Sequence, residues 1–260
     1  MEDKLKVAII QSDLAWENPI QNRKNFSEKI ESIGETVDVI VLPEMFATGF
    51  TMNAHTVAET MNGKTVSWMQ EKAIETQAAI IGSLIILENN KYYNRLLFVE
   101  PSGTITTYDK RHTFTLAGED KVYSSGTEKV IINYKGWKIC PLVCYDLRFP
   151  VWARNVENYD VLLYVANWPK ARILAWETLL KARAIENMSY VVGVNRVGLD
   201  EAQNEYSGNS AVYDVLGTDI SVIKQNKEQI DVVTLERNHI NFYRNKLNFL
   251  ADKDDFIFNL

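Results

Sequence analysis

The sequence Trp137-Lys138-Ile139-Cys140-Pro141-Leu142-Val143 leads directly into Cys144-Tyr145-Asp146-Leu147-Arg148-Phe149-Pro150. The first part is a largely apolar run that predicts a buried strand, and the second part is polar and prone to turn. Pro150 suits the first position of a helix. A cysteine where a strand enters a sharp turn can lift its thiol out of the core, and the next backbone N–H groups then face the atom that the sulfur attacks. The stretch therefore predicts that Cys144 is a nucleophile.

The composition restricts the class of protein. The chain has 260 residues, of which 46% are hydrophobic and 24% charged, as expected for a globular protein with a substantial core. Its net charge of −6 and scattered basic residues argue against a nucleic-acid partner. We find neither the pattern of a signal peptide nor an apolar stretch of about 18 residues. We therefore expect a cytoplasmic protein with no membrane partner.

The two cysteines do not predict a disulfide. If residues 137–143 form a strand, Cys140 and Cys144 lie roughly 13 Å apart, which is too far for a bond between them. We interpret Cys140 as a core residue. The three histidines, His55, His112 and His239, are spread along the chain and do not form a zinc pattern with these cysteines. No metal site is expected.

Apolar strands alternate with helices along the chain, which indicates an α/β protein. Turn signals at residues 89–91, 101–103 and 134–136 add hairpins, so the sheets should be partly antiparallel. Residues 110–126 form a polar, glycine-punctuated loop that we interpret as functional. We expect one domain over 1–260, with 236–260 as a C-terminal helix and extended tail. The predicted strands are 5–10, 37–42, 78–87, 92–99, 104–109, 130–133, 137–143, 161–165, 190–197, 210–214, 220–223 and 230–235, and the helices are 18–33, 64–77, 150–156, 171–187 and 235–245.

Three chemically active residues each follow an apolar strand. Glu44 follows the strand near 37–42, Lys110 follows 104–109, and Cys144 follows 137–143. Ligand sites in α/β sheets form at the outer ends of strands, so we expect these side chains to meet. The carboxylate would take the thiol proton, the thiolate would attack an acyl carbon, and the ammonium would stabilise the oxyanion. This combination predicts acyl transfer by nucleophilic catalysis.

The sequence resembles the nitrilase superfamily of carbon–nitrogen hydrolases. Its motifs are Leu42-Pro43-Glu44-Met45, the lysine segment 108–112 and the cysteine segment 142–150, in the family's order. The resemblance implies a four-layer αββα sandwich, a thioester intermediate, no metal or organic cofactor, and a homodimer or higher homo-oligomer. The segments 110–120 and 162–169 are most similar to the bacterial omega-amidase branch, which hydrolyses the distal amide of compounds such as 2-oxoglutaramate and 2-oxosuccinamate. A small amide and water are therefore the implied partners.

Several further residues are candidates for the site. Many relatives carry a second active-site glutamate after the lysine, and both Glu119 and Glu128 are candidates here. We favour Glu119 because it lies inside the loop, whereas Glu128 stands at the start of a strand. We expect substrate contacts from Tyr145, whose N–H is also a candidate oxyanion donor, and from Phe114, Trp168 and, in a minor role, His112. Arg148 is interpreted as a structural partner of carboxylates such as Asp146 or as a subunit contact.

Two alternatives remain open from the sequence. The same residues could act on a nitrile or an N-carbamoyl compound, or could transfer an acyl group to an amine. A non-catalytic binding protein could also retain the fold, although the intact set of Glu44, Lys110 and Cys144 argues against it. A serine hydrolase is disfavoured because the sequence has no Gly-x-Ser-x-Gly elbow.

Overall fold

The computed structural model describes residues 3–254 and 256–257, so part of the tail expected at 252–260 lies outside the described residues. None of the helices in this part of the chain is long and apolar enough to cross a membrane. In chain order the strands and helices are β1 (Lys4–Gln11), α1 (Pro19–Glu31), β2 (Val39–Val41), α2 (Ala54–Val57), α3 (Lys64–Thr76), β3 (Ala79–Glu88), β4 (Lys91–Val99), β5 (Ile105–Asp109), β6 (Ile132–Tyr134), β7 (Trp137–Val143), α4 (Pro150–Ala153), β8 (Val161–Ala166), α5 (Ile173–Asn187), β9 (Tyr190–Asn195), β10 (Val197–Leu199), β11 (Glu205–Ser207), β12 (Ala211–Tyr213), β13 (Gln229–Glu236) and α6 (Arg237–Leu247).

The strands form two large mixed sheets. The first has the order β13-β1-β2-β3-β4-β5, and the second has the order β12-β9-β8-β7-β6. Parallel strands occupy the middle of each sheet, β1, β2 and β3 in one and β7, β8 and β9 in the other. Antiparallel strands flank them, as the hairpin signals in the sequence predict. The short hairpin β10–β11 stands apart and was not foreseen from the sequence.

The two sheets pack face to face between helices. Successive strand side chains point to opposite faces, so Val7 and Ile9 of β1 join the core shared with the second sheet, while Ala8 and Ile10 pack with helices α1 and α3. On the far side, α5 lies so close to β9 that a Cβ at Gly193 would stand 2.5 Å from a methyl group of Leu180. The layers therefore run α, β, β, α, and the expected αββα sandwich is confirmed.

One predicted strand is absent from the described residues. Residues 220–223 have no strand partner apart from the Ile220 N–H, which donates to the Val212 carbonyl at 2.8 Å. The next N–H groups donate to side chains instead, Ser221 to Asp219 and Val222 to Asp231. Local side-chain acceptors thus replace the sheet ladder that the apolar pattern predicted.

Candidate active site

Cys144 occupies a strained position at the end of β7. It begins a 3₁₀ turn, Cys144–Arg148, and has a φ of 45°, which is unusual for a residue with a side chain and costs on the order of 1–3 kcal/mol. Asp146 holds this turn, because its Oδ2 accepts hydrogen bonds from the Val143 N–H at 3.0 Å and from the Tyr108 hydroxyl at 2.7 Å. The turn keeps the thiol at the strand end, as the sequence predicted.

His112 supports the same turn from behind. Its backbone N–H and its Nδ1 contact Oδ1 of Asp146 at 3.0 and 2.7 Å, and its ring stacks on Phe149 with 3.7 Å between ring centroids. His112 is not among the residues that line the pocket beside Cys144. The structure thus places it against the acidic residue of the turn, and not on the wall where a substrate contact was expected.

Glu44, Lys110 and Glu119 form a buried charge cluster. Lys110 Nζ lies 3.0 Å from Oε1 of Glu44 and 2.8 Å from Oε2 of Glu119. The side chains of the two glutamates have no exposed surface, and that of Lys110 is 1% exposed. The exposed Glu128, the alternative second glutamate, has no place in this cluster. The structure therefore brings together Glu44, Lys110 and Glu119 beside Cys144, as expected from their positions in the sequence.

Two asparagines complete the cluster and were missed in the sequence. Asn94 Nδ2 donates to Oε1 of Glu44 at 2.8 Å and to Oε1 of Glu119 at 3.3 Å. The Asn167 N–H donates to Oε2 of Glu44 at 2.7 Å, and its Nδ2 donates to the Glu44 carbonyl at 2.6 Å. Arg95 follows Asn94 directly in β4, so the pattern of this strand carries no signal that singles out Asn94. Asn167 lies in the segment 162–169 that is similar to the omega-amidase branch, where the sequence predicted a substrate contact only for Trp168.

Burial controls the protonation of the site. Burial raises the pKa of the Cys144 thiol well above its ordinary value, and the nearby Glu44 carboxylate raises it further, while Lys110 opposes both effects. Burial also raises the pKa of Glu119, against the lowering effect of Lys110. Burial disfavours the ammonium form of Lys110, yet the two glutamates outweigh this and raise its pKa. A protonated thiol beside a paired carboxylate is suited to attack assisted by a general base.

A pocket of about 390 Å³ opens beside Cys144, within the range of small-molecule sites. Its walls include Phe114, Tyr145 and Trp168, three of the four residues expected to contact substrate. Arg148 also lies on this wall, with its Cζ 4.9 Å from the ring centroid of Trp168. The hydrogen bonds of Asp146 come from His112, Tyr108 and Val143, so Arg148 is not its partner. The pocket thus places the Cys144 thiol next to aromatic side chains and an arginine.

Metal ligation is not indicated by the side chains in residues 3–254 and 256–257. No group of three or more His, Cys, Asp or Glu residues among them is arranged to hold an ion. Glu44, Lys110 and Glu119 are instead engaged with one another. A thiol, a carboxylate and an ammonium in this arrangement can form and hydrolyse a thioester by proton transfer and electrostatic stabilisation.

The chain is similar to known proteins over most of its length. The family model described as carbon-nitrogen hydrolase matches residues 6–245. The chain is 44% identical over 256 residues to omega-amidase YafV of Yersinia enterocolitica, covering 97% of this chain and 98% of that protein. It is 33% identical over 219 residues to 2-oxoglutaramate amidase of Bacillus subtilis, covering 82% and 84%. The crystal structure of XC1258 from Xanthomonas campestris, a CN-hydrolase superfamily protein, superposes with a TM-score of 0.97 at 40% identity over the whole of both chains.

Proposed function

Because this chain belongs to the carbon–nitrogen hydrolase family, we propose that it is an omega-amidase that releases ammonia from the distal amide of short dicarboxylate monoamides. The observation that carries the proposal is that the buried Glu44 contacts both Lys110 and Cys144, two residues that line one pocket. The proposed substrates are 2-oxoglutaramate, 2-oxosuccinamate and similar compounds. The similarity to omega-amidase YafV and to 2-oxoglutaramate amidase over most of the chain supports this choice.

The first half of the reaction follows from the raised pKa of the thiol. A protonated Cys144 needs a base when it attacks, so its proton passes to Glu44 as the sulfur bonds to the amide carbon. The resulting oxyanion is stabilised by Lys110 Nζ and by the Tyr145 N–H, since the first N–H groups of a helical turn lack partners within it. Glu44 then returns the proton to the amide nitrogen, the carbon–nitrogen bond breaks, and ammonia leaves a thioester on Cys144.

The second half repeats this proton transfer with water. Glu44 takes a proton from the water molecule as its oxygen bonds to the thioester carbon, and the same donors hold the new oxyanion. The carbon–sulfur bond then breaks, Glu44 passes the proton to the sulfur, and the product leaves with a new carboxylic acid group that loses its proton to solvent. Glu119 remains paired with Lys110 and holds the ammonium between the two carboxylates throughout. Its proposed role is positioning and charge balance, and it does not contact the reacting atoms.

A substrate panel tests the proposal. The purified protein is incubated with omega-amides, 2-oxo omega-amides, nitriles and N-carbamoyl compounds, and ammonia and carbon dioxide are measured. We expect ammonia without carbon dioxide from the omega-amides and none from a Cys144→Ala variant. Faster turnover of nitriles or N-carbamoyl compounds would reassign the substrate. A wild-type thiol inert to iodoacetamide near neutral pH, together with no ammonia release, would favour the non-catalytic binding protein.

The family match to residues 6–245 supports one carbon–nitrogen hydrolase domain, and we propose a cytoplasmic location. We also propose a homodimer or larger homo-oligomer, because the second helical layer leaves three large apolar side chains exposed, Val151, Leu174 and Ile185. Sedimentation velocity over a range of concentrations measures the assembly, and a monomer at all of them would contradict it.

A further inference from the structure

Two arginines on the wall of the active-site pocket lack anionic partners. The guanidinium groups of Arg148 and Arg172 form no ion pair or hydrogen bond with another side chain among the described residues. Instead, Arg148 lies over Trp168, and the Cζ of Arg172 lies 5.1 Å from the ring centroid of Phe114. Stacking on an aromatic face leaves the N–H edge of a guanidinium free to bind an anion. Other arginines hydrogen-bond carboxylates, namely Arg95, Arg183, Arg196, Arg237 and Arg244.

The carboxylates around the pocket are already engaged. Glu44 and Glu119 share Lys110, and Asp200 on the pocket wall accepts hydrogen bonds from the Tyr206 hydroxyl at 3.0 Å and from Asn204 Nδ2 at 2.9 Å. None of these three carboxylates forms an ion pair or a hydrogen bond with Arg148 or Arg172 in the described part of the chain. An anion entering the pocket would therefore meet two cationic side chains that these carboxylates do not occupy.

Arg172 is held in place by the loop that also completes the catalytic cluster. Its N–H donates to the Pro169 carbonyl at 3.0 Å, and its carbonyl accepts from Trp168 Nε1 at 2.9 Å. The same loop begins at Asn167, which donates to Glu44. The hydrogen bonds fix the backbone of this loop relative to the reacting centre, and the Phe114 ring supports the guanidinium, as a subsite for one end of a substrate requires.

We infer that Arg172, together with Arg148, forms the subsite that binds the carboxylate at the non-reacting end of the substrate. The inference rests on the proposed omega-amidase function, which supplies the identity of the anion. An amide carbon at Cys144 and a carboxylate at the arginines would be joined by a short apolar chain lying along the aromatic walls. A fork of guanidinium N–H groups matches the two oxygens of a carboxylate, so the arginines should select dicarboxylate monoamides over uncharged amides.

Paired substrates test this role. Glutaric acid monoamide and 5-oxohexanamide have the same length, but a methyl ketone replaces the carboxylate in the second. The measured quantity is the ratio of kcat/KM for the charged substrate to that for the uncharged one. We expect Arg172→Met to lower this ratio by about 10- to 100-fold, mainly through the KM of the charged substrate, and Arg148→Met to lower it in the same direction. Arg172→Lys should retain part of it.

Lys170→Met is the matched control, because Lys170 lies on the same loop, pairs with Glu205 on the surface and does not line the pocket. Its ratio should equal that of the wild type. A ratio within twofold of the wild type in both arginine variants would overturn the inference, as would an equal fall in Lys170→Met. Far-ultraviolet circular dichroism checks that the variants are folded.

A second measurement does not depend on turnover. Glutarate, the product, should slow iodoacetamide labelling of Cys144 in the wild type, and Arg172→Met should lose this protection while Lys170→Met retains it. Protection lost on the Arg172 change would support the anion subsite even if no omega-amide were hydrolysed, so failure of the proposed function is recognised separately. Protection that is absent in the wild type, or equal in wild type and Arg172→Met, would overturn the subsite.

Discussion

The backbone N–H of Asn167 donates to Oε2 of Glu44 across 2.7 Å, although 123 positions separate the two residues in the chain. Asn167 follows β8 in the second sheet, and Glu44 follows β2 in the first. The hydrogen bond therefore spans the interface between the two sheets. Since the Asn94 amide and Lys110 contact the other carboxylate oxygen, Glu44 is held from both sides. The position of the Glu44 carboxylate therefore depends on how the two sheets pack against each other.

Replacing Glu119 with glutamine should slow turnover. The change removes the negative charge that lies 2.8 Å from Lys110 and leaves an ammonium that only Glu44 balances. We expect kcat to fall about 10²- to 10³-fold with a smaller change in KM. Steady-state ammonia release measures both constants. Glu128→Gln is the matched control, because Glu128 is exposed, and it should leave kcat unchanged. Unchanged turnover in Glu119→Gln would show that the reaction does not depend on the Glu119 carboxylate.

Replacing Asn94 should disturb both carboxylates at once. Asn94→Ala removes a donor that Glu44 and Glu119 share, so we expect kcat to fall about 10- to 100-fold and the melting temperature to drop by a few degrees. Asn94→Asp should be worse, since it adds a third carboxylate. Calorimetry and steady-state kinetics check both effects. Lys91→Ala, an exposed change on the same strand, serves as the control, and equal effects in the two alanine variants would refute the assignment.

Replacing Glu44 with glutamine should have opposite effects on two properties: the Cys144 thiol should ionise more easily, and amide hydrolysis should become slower. The Glu44 carboxylate contributes to the raised pKa of the Cys144 thiol, so its removal should lower that pKa and shift the rise in iodoacetamide labelling to lower pH. Amide hydrolysis should nevertheless fall about 10²- to 10⁴-fold, because the general base is lost. Labelling rates and ammonia release across a pH series measure the two effects. A labelling profile that does not move would contradict the proposed electrostatic coupling.

The buried Cys140 should make stability sensitive to alkaline pH. Burial raises the pKa of its thiol from 9.0 to about 12. The folded state retains this proton when the unfolded state has lost it, so the stabilising effect is complete below pH 9 and is lost as the pH rises towards 12. Over this window the free energy of unfolding of the wild type should fall faster than that of Cys140→Ala, by up to about 1.4 kcal/mol per pH unit. Denaturant titrations of both proteins measure the difference, and parallel curves would contradict it.

The apolar runs of the sequence located the strands, and with them three groups of the candidate site. Glu44, Lys110 and Cys144 could be found because a strand end is a local feature, read from the change from apolar to polar residues. Even Glu119 could be preferred over Glu128 from its place inside a loop. The motif order supplied the family and its αββα layers, which the structure and the comparisons confirm.

The groups that complete the site were decided by tertiary structure. Asn94 lies in β4, and the pairing register of β4 with β3 sets its position in the first sheet. At that position its amide contacts two glutamates, Glu44 and Glu119, from distant segments of the chain. His112 looked like a pocket residue, yet packing against Phe149 and Asp146 places it behind the turn. The positions of Arg148 over Trp168 and of Arg172 over Phe114 likewise depend on how separate segments of the chain pack together. Local pattern determines which residues stand at strand ends, whereas hydrogen-bond partners depend on packing between segments far apart in the chain.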